Sequence, residues 1–168
     1  MQTHTDILVR DARPADAADL VKIYNHYVLT SAITFEEAAV EPGEFERRVA
    51  EIQRIPLPWL VAEHGTELLG FAYAGKWKPR AAYRYSTEVT VYVRAESLGI
   101  GIGTRLYSTL FARLKMLGVH AVIGGVALPN EASMKLHERF GFEKVAHFKQ
   151  VGFKFERWID VTYWELIL

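Results

Sequence analysis

The 168-residue chain contains no cysteine, which excludes disulfide scaffolds, thiolate zinc sites, iron–sulfur clusters and cysteine nucleophiles. It has no uninterrupted run of the roughly 18 apolar residues that a membrane-crossing helix needs. Its first ten residues lack a basic stretch leading into an apolar one, so a signal peptide is not expected and the default location is the cytoplasm. An excess of one charge is missing as well: 20 Lys and Arg balance 20 Asp and Glu. That balance speaks against a general nucleic-acid or anionic-membrane binder, although it leaves room for a local basic patch. None of the histidines lies three or four residues from another, the helical spacing of a metal pair, and no metal site is expected. Repeats, low-complexity tracts and Pro/Gly/Ser linkers are also lacking, so residues 1–168 are read as one domain.

What remains is ordinary globular composition, with 50% hydrophobic and 24% charged residues. A chain of this length buries roughly 70% of the surface that its unfolded form exposes, enough for a core. Ile7-Leu8-Val9 reads as a short strand. Pro14 then opens a helix whose apolar face is Ala17, Leu20, Val21, Tyr24 and Val28. A second helix is expected over 44–54, with Phe45, Val49 and Ile52 on one side. Residues 59–62 and 68–73 form a hairpin around His64-Gly65-Thr66-Glu67. A basic loop, 76–84, follows. Residues 88–93 then alternate Val89, Val91 and Val93 against Glu88, Thr90 and Tyr92, a strand with two unlike faces. A helix carrying Leu106, Leu110, Leu114 and Leu117 ends at Gly118. Residues 121–126 form a buried strand, and Asn130 caps a helix over 131–140 that Gly141 stops. Residues 142–148 and 158–168 read as two more strands. Strands outnumber helices and few alternate with them, so the class is mixed α/β (α+β) with a largely antiparallel sheet.

Between the 88–93 strand and the leucine-striped helix lie Gly99, Gly101 and Gly103. A strand, spaced glycines and a helix start make an anion cradle, because bare backbone approaches the ligand while N–H groups and the positive helix end face it. A dinucleotide fingerprint needs a glycine at position 104, which is Thr104, and a P-loop needs Gly-Lys-Ser or Gly-Lys-Thr, which is absent. The spacing leaves open a different phosphate ligand or a turn that binds nothing.

The stretch Val91-Tyr92-Val93 … Leu98-Gly99-Ile100-Gly101-Ile102-Gly103 resembles the acetyl-CoA loop of the GCN5-related N-acetyltransferases. Leu128-Pro129-Asn130-Glu131-Ala132-Ser133-Met134-Lys135-Leu136-His137-Glu138-Arg139-Phe140-Gly141-Phe142 resembles the second CoA-contacting motif of that superfamily. Tyr24-Asn25-His26-Tyr27, Pro58-Trp59-Leu60-Val61-Ala62-Glu63, Glu88-Val89-Thr90-Val91-Tyr92-Val93 and Trp158-Ile159-Asp160-Val161 are similar to the phosphinothricin/methionine sulfoximine branch. The resemblance implies a mostly antiparallel central sheet flanked by helices on both faces, acetyl-CoA as acyl donor, and a homodimer. Contacts to acetyl-CoA are implied for Val91, Tyr92, Val93, Gly99, Ile100, Gly101, Ile102, Gly103, Thr104, Asn130 and Ser133. One departure stands out: Leu98 replaces the usual Gln or Arg, in a loop whose phosphate contacts come mainly from backbone N–H groups.

An acyl thioester is already activated, so the enzyme must supply positioning, a neutral amine and a polarised carbonyl. Deprotonating a lysine-like amine of pKa about 10.4 at pH 7 costs about 4.6 kcal/mol, whereas an α-amine near pKa 8 costs only about 1.4 kcal/mol. A modest base therefore suffices. By the resemblance, Glu88 is that base; the alternative is an acidic strand residue paired with Arg84 or facing solvent. His137 stands where many superfamily members place a tyrosine that protonates the departing thiolate; the alternative is a packing residue. Arg80 and Arg84, in the basic loop with Tyr83, would fix an acceptor carboxylate or phosphinate bidentately. Phe35 and Glu36 resemble the branch segment that lines the acceptor site. The implied activity is acetylation of a small amino acid or its toxic analogue. A different amine (a peptide N-terminus, polyamine or aminoglycoside) and a non-catalytic acyl-CoA-binding module are the alternatives.

Overall fold

The structure is a computed structural model that describes residues 6–168. Its strands and helices run β1 (Ile7–Asp11), α1 (Ala17–Thr30), α2 (Pro42–Arg54), β2 (Trp59–His64), β3 (Glu67–Lys76), β4 (Ser86–Val93), α3 (Ile102–Met116), β5 (Ala121–Ala127), α4 (Glu131–Arg139), β6 (Glu143–Lys154) and β7 (Arg157–Ile167). The strands hydrogen-bond in the order β1-β2-β3-β4-β5-β7-β6. β4 and β5 pair in parallel, while β1–β2, β2–β3, β5–β7 and β7–β6 pair antiparallel. This is the mixed, mostly antiparallel α/β sheet that the sequence leads one to expect. By contact density the chain forms two compact units: residues 1–24, 40–74 and 90–117, and residues 25–39, 75–89 and 118–168.

In the first unit, Pro14 opens a single 3-10 turn, Pro14–Asp16, and the α-helix begins only at Ala17. Ala17, Leu20, Val21 and Tyr24 are buried as the helical spacing requires. α2 starts at Pro42, two residues earlier than expected, because proline at the first helical position lacks an N–H that would go unused there. Phe45 and Val49 are buried, whereas Ile52 is only half-buried. Phe45 meets an aromatic layer on β2 and β3: its ring lies edge-on to Trp59 at 5.6 Å and to Phe71 at 5.7 Å, and Trp59 stacks on Tyr73 at 4.1 Å.

Gly70 precedes Phe71 and so points to the other side of β3. A Cβ there would lie 2.7 Å from the Tyr92 carbonyl and 3.2 Å from Ile102 of α3. The two neighbours thus assign α2 and α3 to opposite faces of this strand. Along α3, Leu106, Leu110 and Leu114 are fully buried, each contributing about 1.5–3 kcal/mol. Leu117, expected to continue that stripe, is instead 51% exposed. It is the C-cap residue, and Gly118 turns left-handed at φ +74° directly after it, so the helical period no longer applies.

In the second unit, β6 runs six residues past the 142–148 expected of it, while β7 keeps the expected length but starts and ends one residue before 158–168. Phe155 and Glu156 close the hairpin with φ of +52° and +58°. Asn-Gly usually fills such a two-residue turn, so Phe-Glu gives no sequence signal. A register shift between Phe148 and Gly152 marks a bulge. Asp160 braces it, its carboxylate accepting from the Gln150 N–H at 2.8 Å and lying 2.7 Å from the His147 ring nitrogen. Asn130 caps α4 as expected, Oδ1 accepting from the Ser133 N–H at 3.1 Å, and the helix ends at Arg139 with Phe140 as its cap.

Two adjacent glycines on β5 face opposite sides. A Cβ on Gly124 would lie 2.3 Å from His137 Nε2, whereas one on Gly125 would sit 3.4 Å from the Tyr163 ring and 3.5 Å from Glu88 Oε1. Close approach requires glycine at the first position, and the second makes only ordinary contacts. Gly124→Ala is therefore expected to lower unfolding stability by about 1–3 kcal/mol. Gly125→Ala should cost less than about 1 kcal/mol, with chemical denaturation as the measurement.

Candidate active site

In the first unit, β4 leads through Arg94 and a short 3-10 turn, Ala95–Ser97, into the glycine loop. Gly99 and Gly101 adopt φ of +80° and +88°, which L side chains rarely tolerate. Gly101 is the N-cap residue of α3, and no side chain caps that first turn. The N–H groups of Ile102, Gly103 and Thr104 belong to the opening turn of a helix, where the ladder supplies no acceptor. Nothing lies within 4 Å of where a Cβ would stand at Gly99 or Gly101. The turn thus offers open backbone, unblocked donors and a positive helix end, the donor set that suits a diphosphate. Ile102 turns its side chain into the core at 1% exposure, so its main chain is what it presents. Leu98 and Ile100 are exposed beside the loop. Along β4, the Tyr92 ring packs edge-on against Tyr24 at 5.1 Å and 5.5 Å from Phe71, while Val91 and Val93 are half-buried.

In the second unit, Glu88 lies where β4 pairs with β5, opposite Ile123. It is half-buried and shares the open side of Gly125 with Tyr163 of β7. Burial pushes its carboxyl above the ordinary carboxylate range, and the Lys78 ammonium pulls the other way. Burial also raises the Tyr163 hydroxyl, helped by the charge of Glu88. Aromatic side chains line the neighbourhood: Trp77 and Phe148 both meet the Tyr163 ring, at 5.6 and 5.8 Å. Lys78 Nζ lies 4.6 Å over Trp77. A partly desolvated carboxylate of raised pKa is suited to receive a proton from an ammonium near neutral pH.

His137 is on the opposite face of β5, so the two residues with expected catalytic roles do not share a face. It is 2% exposed, with its ring against Gly124, edge-on to Phe142 at 4.9 Å and 6.2 Å from Trp164. Nδ1 donates to the Ser133 carbonyl at 2.7 Å, which places the proton of the neutral ring on Nδ1. Burial lowers its pKa, and the hydrogen bond to Ser133 opposes that. Ser133 therefore serves two local partners: its N–H bonds Asn130 and its carbonyl bonds His137.

The proposed acceptor residues are spread more widely. Arg80, Tyr83 and Arg84 sit on an exposed turn that includes the 3-10 stretch Ala81–Tyr83. Arg84 donates to the Ala81 carbonyl at 3.2 Å and stacks its guanidinium 4.5 Å over Tyr85. The cation whose field reaches Glu88 is Lys78 rather than either arginine. Phe35 lies over Gly152 of β6, and Glu36 follows it, half-buried. Reasoning from sequence did not assign Trp77 or Tyr163 to the site: Trp77 falls in the basic loop just past β3, and an aromatic on the last strand equally reads as core.

Comparison with known proteins identifies the family. Residues 9–163 match the acetyltransferase (GNAT) domain family. The chain is 40% identical over 155 residues to the phosphinothricin N-acetyltransferase of Alcaligenes faecalis, covering 92% of this chain and 79% of that one. It is 35% identical over 160 residues to the L-methionine sulfoximine/L-methionine sulfone acetyltransferase of Salmonella typhimurium, covering 95% and 94%. A phosphinothricin acetyltransferase from Sinorhizobium meliloti, solved in complex with acetyl-CoA, superimposes with a TM-score of 0.94 at 33% identity, over 98% of this chain and 89% of that one. A domain match spanning nearly the whole chain, together with an uncapped glycine turn opening α3, identifies this protein as a member of the GNAT family of N-acetyltransferases.

Proposed function

We propose that the enzyme transfers the acetyl group of acetyl-CoA to the α-amine of a small, glutamate-like amino acid, of which phosphinothricin and methionine sulfoximine are the models. The observation that carries this reading is Glu88: a half-buried carboxylate of raised pKa, beside Tyr163 and within the field of Lys78. Relatives named for those two substrates support the acceptor class.

In this reading, the main-chain N–H groups of residues 102–104 hold the donor's diphosphate, with Gly99 and Gly101 keeping the approach clear. Val91, Tyr92 and Val93 offer main chain to the pantetheine arm, and Asn130, its carbonyl engaged at the helix cap, offers its amide N–H₂. Acetyl-CoA supplies the activated carbonyl. Glu88 accepts the ammonium proton, directly or through water, and the freed lone pair attacks that carbonyl. The C–N bond forms and the C–S bond breaks, with the thiolate leaving. His137 takes the packing role here, holding α4 against Gly124. Lys78, with Arg80, Tyr83 and Arg84, faces the acceptor's acidic groups, while Phe35 packs on its aliphatic stem and Glu36 meets its ammonium.

Because the base must be deprotonated, the rate should fall with falling pH through a limb above the ordinary carboxylate range. Glu88→Gln should abolish that limb and reduce kcat by about 10²–10⁴-fold, with acetyl-CoA affinity kept. Lys78→Met removes the opposing cation, so the limb should move to higher pH. A pH–rate series on methionine sulfoximine measures both, and a full rate in Glu88→Gln across the neutral range would exclude the assignment. Gly101→Val, a β-branched side chain forced to positive φ, should weaken acetyl-CoA binding by about tenfold or more, as read by calorimetry.

The cytoplasmic homodimer is part of the same reading. It rests on the β6–β7 hairpin, where Phe148, Val151, Phe153, Phe155 and Trp158 are all exposed. Phe153 and Trp158 pair their rings at 4.9 Å across that hairpin. Contiguous exposed aromatics mark an interface. Trp158→Asp should convert the dimer to a monomer in sedimentation equilibrium; a wild-type monomer would contradict the assembly.

A further inference from the structure

Lys154 is 2% exposed, an unusual state for an ammonium. Its Nζ donates to three main-chain carbonyls, those of Val28 at 2.7 Å, Ser31 at 2.8 Å and Thr34 at 2.9 Å. Val28 lies in the last turn of α1, so the cation also stands at the negative end of that helix. Ser31 and Thr34 belong to the irregular segment after it, whose carbonyls have no ladder to join. Two residues earlier on the same strand, Gly152 receives the ring of Phe35: a Cβ there would lie 2.3 Å from Phe35 Cζ. β6 therefore fixes the segment twice, by its carbonyls at Lys154 and by its ring at Gly152. Burial lowers the Lys154 pKa, while Glu37 and Glu36 hold it up. The carboxylates that stabilise the ammonium are thus on the segment it anchors.

We propose that Lys154 is a positioning residue for acceptor recognition. By holding the Ser31 and Thr34 carbonyls it sets where Phe35 and Glu36 stand, and so which amino acid the enzyme accepts. This rests on the reading of Phe35 and Glu36 as the wall of the acceptor site.

The test is steady-state kinetics with methionine sulfoximine and acetyl-CoA on the full-length enzyme and its Lys154→Met, Lys154→Arg, Gly152→Ala and Phe35→Ala variants. Lys154→Met should raise KM for methionine sulfoximine by about tenfold and leave KM for acetyl-CoA within about twofold. Lys154→Arg, which keeps the cation, should recover most of the loss. Amide exchange over residues 31–36 should quicken in Lys154→Met. Gly152→Ala shifts the Phe35 ring without touching the three hydrogen bonds, so it should also raise the acceptor KM, and it serves even if Lys154→Met does not fold. If Phe35→Ala raises the acceptor KM but the Lys154 and Gly152 variants do not, the inference is overturned while the acceptor wall stands. If none of the four changes it although turnover persists, the wall reading falls as well. Equal losses toward both substrates would mean a general structural role and would also overturn the inference.

Discussion

Consecutive residues of a strand point to opposite sides, and at Gly124 and Gly125 that rule decides what β5 can hold on each face. Gly124 admits the His137 ring at a distance no side chain would permit, and that contact draws α4 down onto the sheet. Gly125 leaves its own side open between Glu88 on β4 and Tyr163 on β7. One face is therefore packed at this point and the other is exposed. The same pleat on β4 sends Glu88 to the half-buried side while Thr87 and Val89 are fully buried.

Two opposing effects act on the Glu88 carboxylate. Burial disfavours the charged form and Lys78 favours it, and burial prevails. The outcome suits an amine acceptor of moderate basicity, because an α-amine near pKa 8 needs only about 1.4 kcal/mol of help at pH 7. In the glycine loop the work falls to main chain. The first turn of α3 leaves N–H groups there without ladder partners, a donor set suited to phosphate oxygens. A leucine at position 98 is compatible with such a cradle, since its side chain is exposed and the recognition is backbone work.

Much of the architecture was legible in the sequence because periodic burial and turn chemistry are local properties. The α1 face, the hairpin at Gly65, the Asn130 cap and the glycine stops at 118 and 141 follow from spacing alone. The tip of the β6–β7 hairpin was not legible: Phe155 and Glu156 adopt a left-handed turn that only tertiary pairing enforces. Lys154 was lost with it, because it falls between the two expected strands, and its three carbonyl partners lie more than 100 residues away in sequence. The loop at residues 99–103 stood out through its glycines. The neighbourhood of Glu88 did not, because Trp77 and Lys78 come from the loop after β3 and Tyr163 from β7, and only the fold gathers them. The cation that acts on the Glu88 carboxylate is Lys78, whereas guanidinium geometry favours Arg80 and Arg84.

The proposal that unites these features is acyl transfer to a small zwitterion, and an acceptor panel tests it most directly. Release of CoA thiol from acetyl-CoA would be followed with methionine sulfoximine, phosphinothricin, a polyamine, an aminoglycoside and a peptide N-terminus offered in turn. Turnover concentrated on the two glutamate-like amino acids is the expected result. Binding of acetyl-CoA with no turnover on any amine, or a preference for the polycations, would contradict the account.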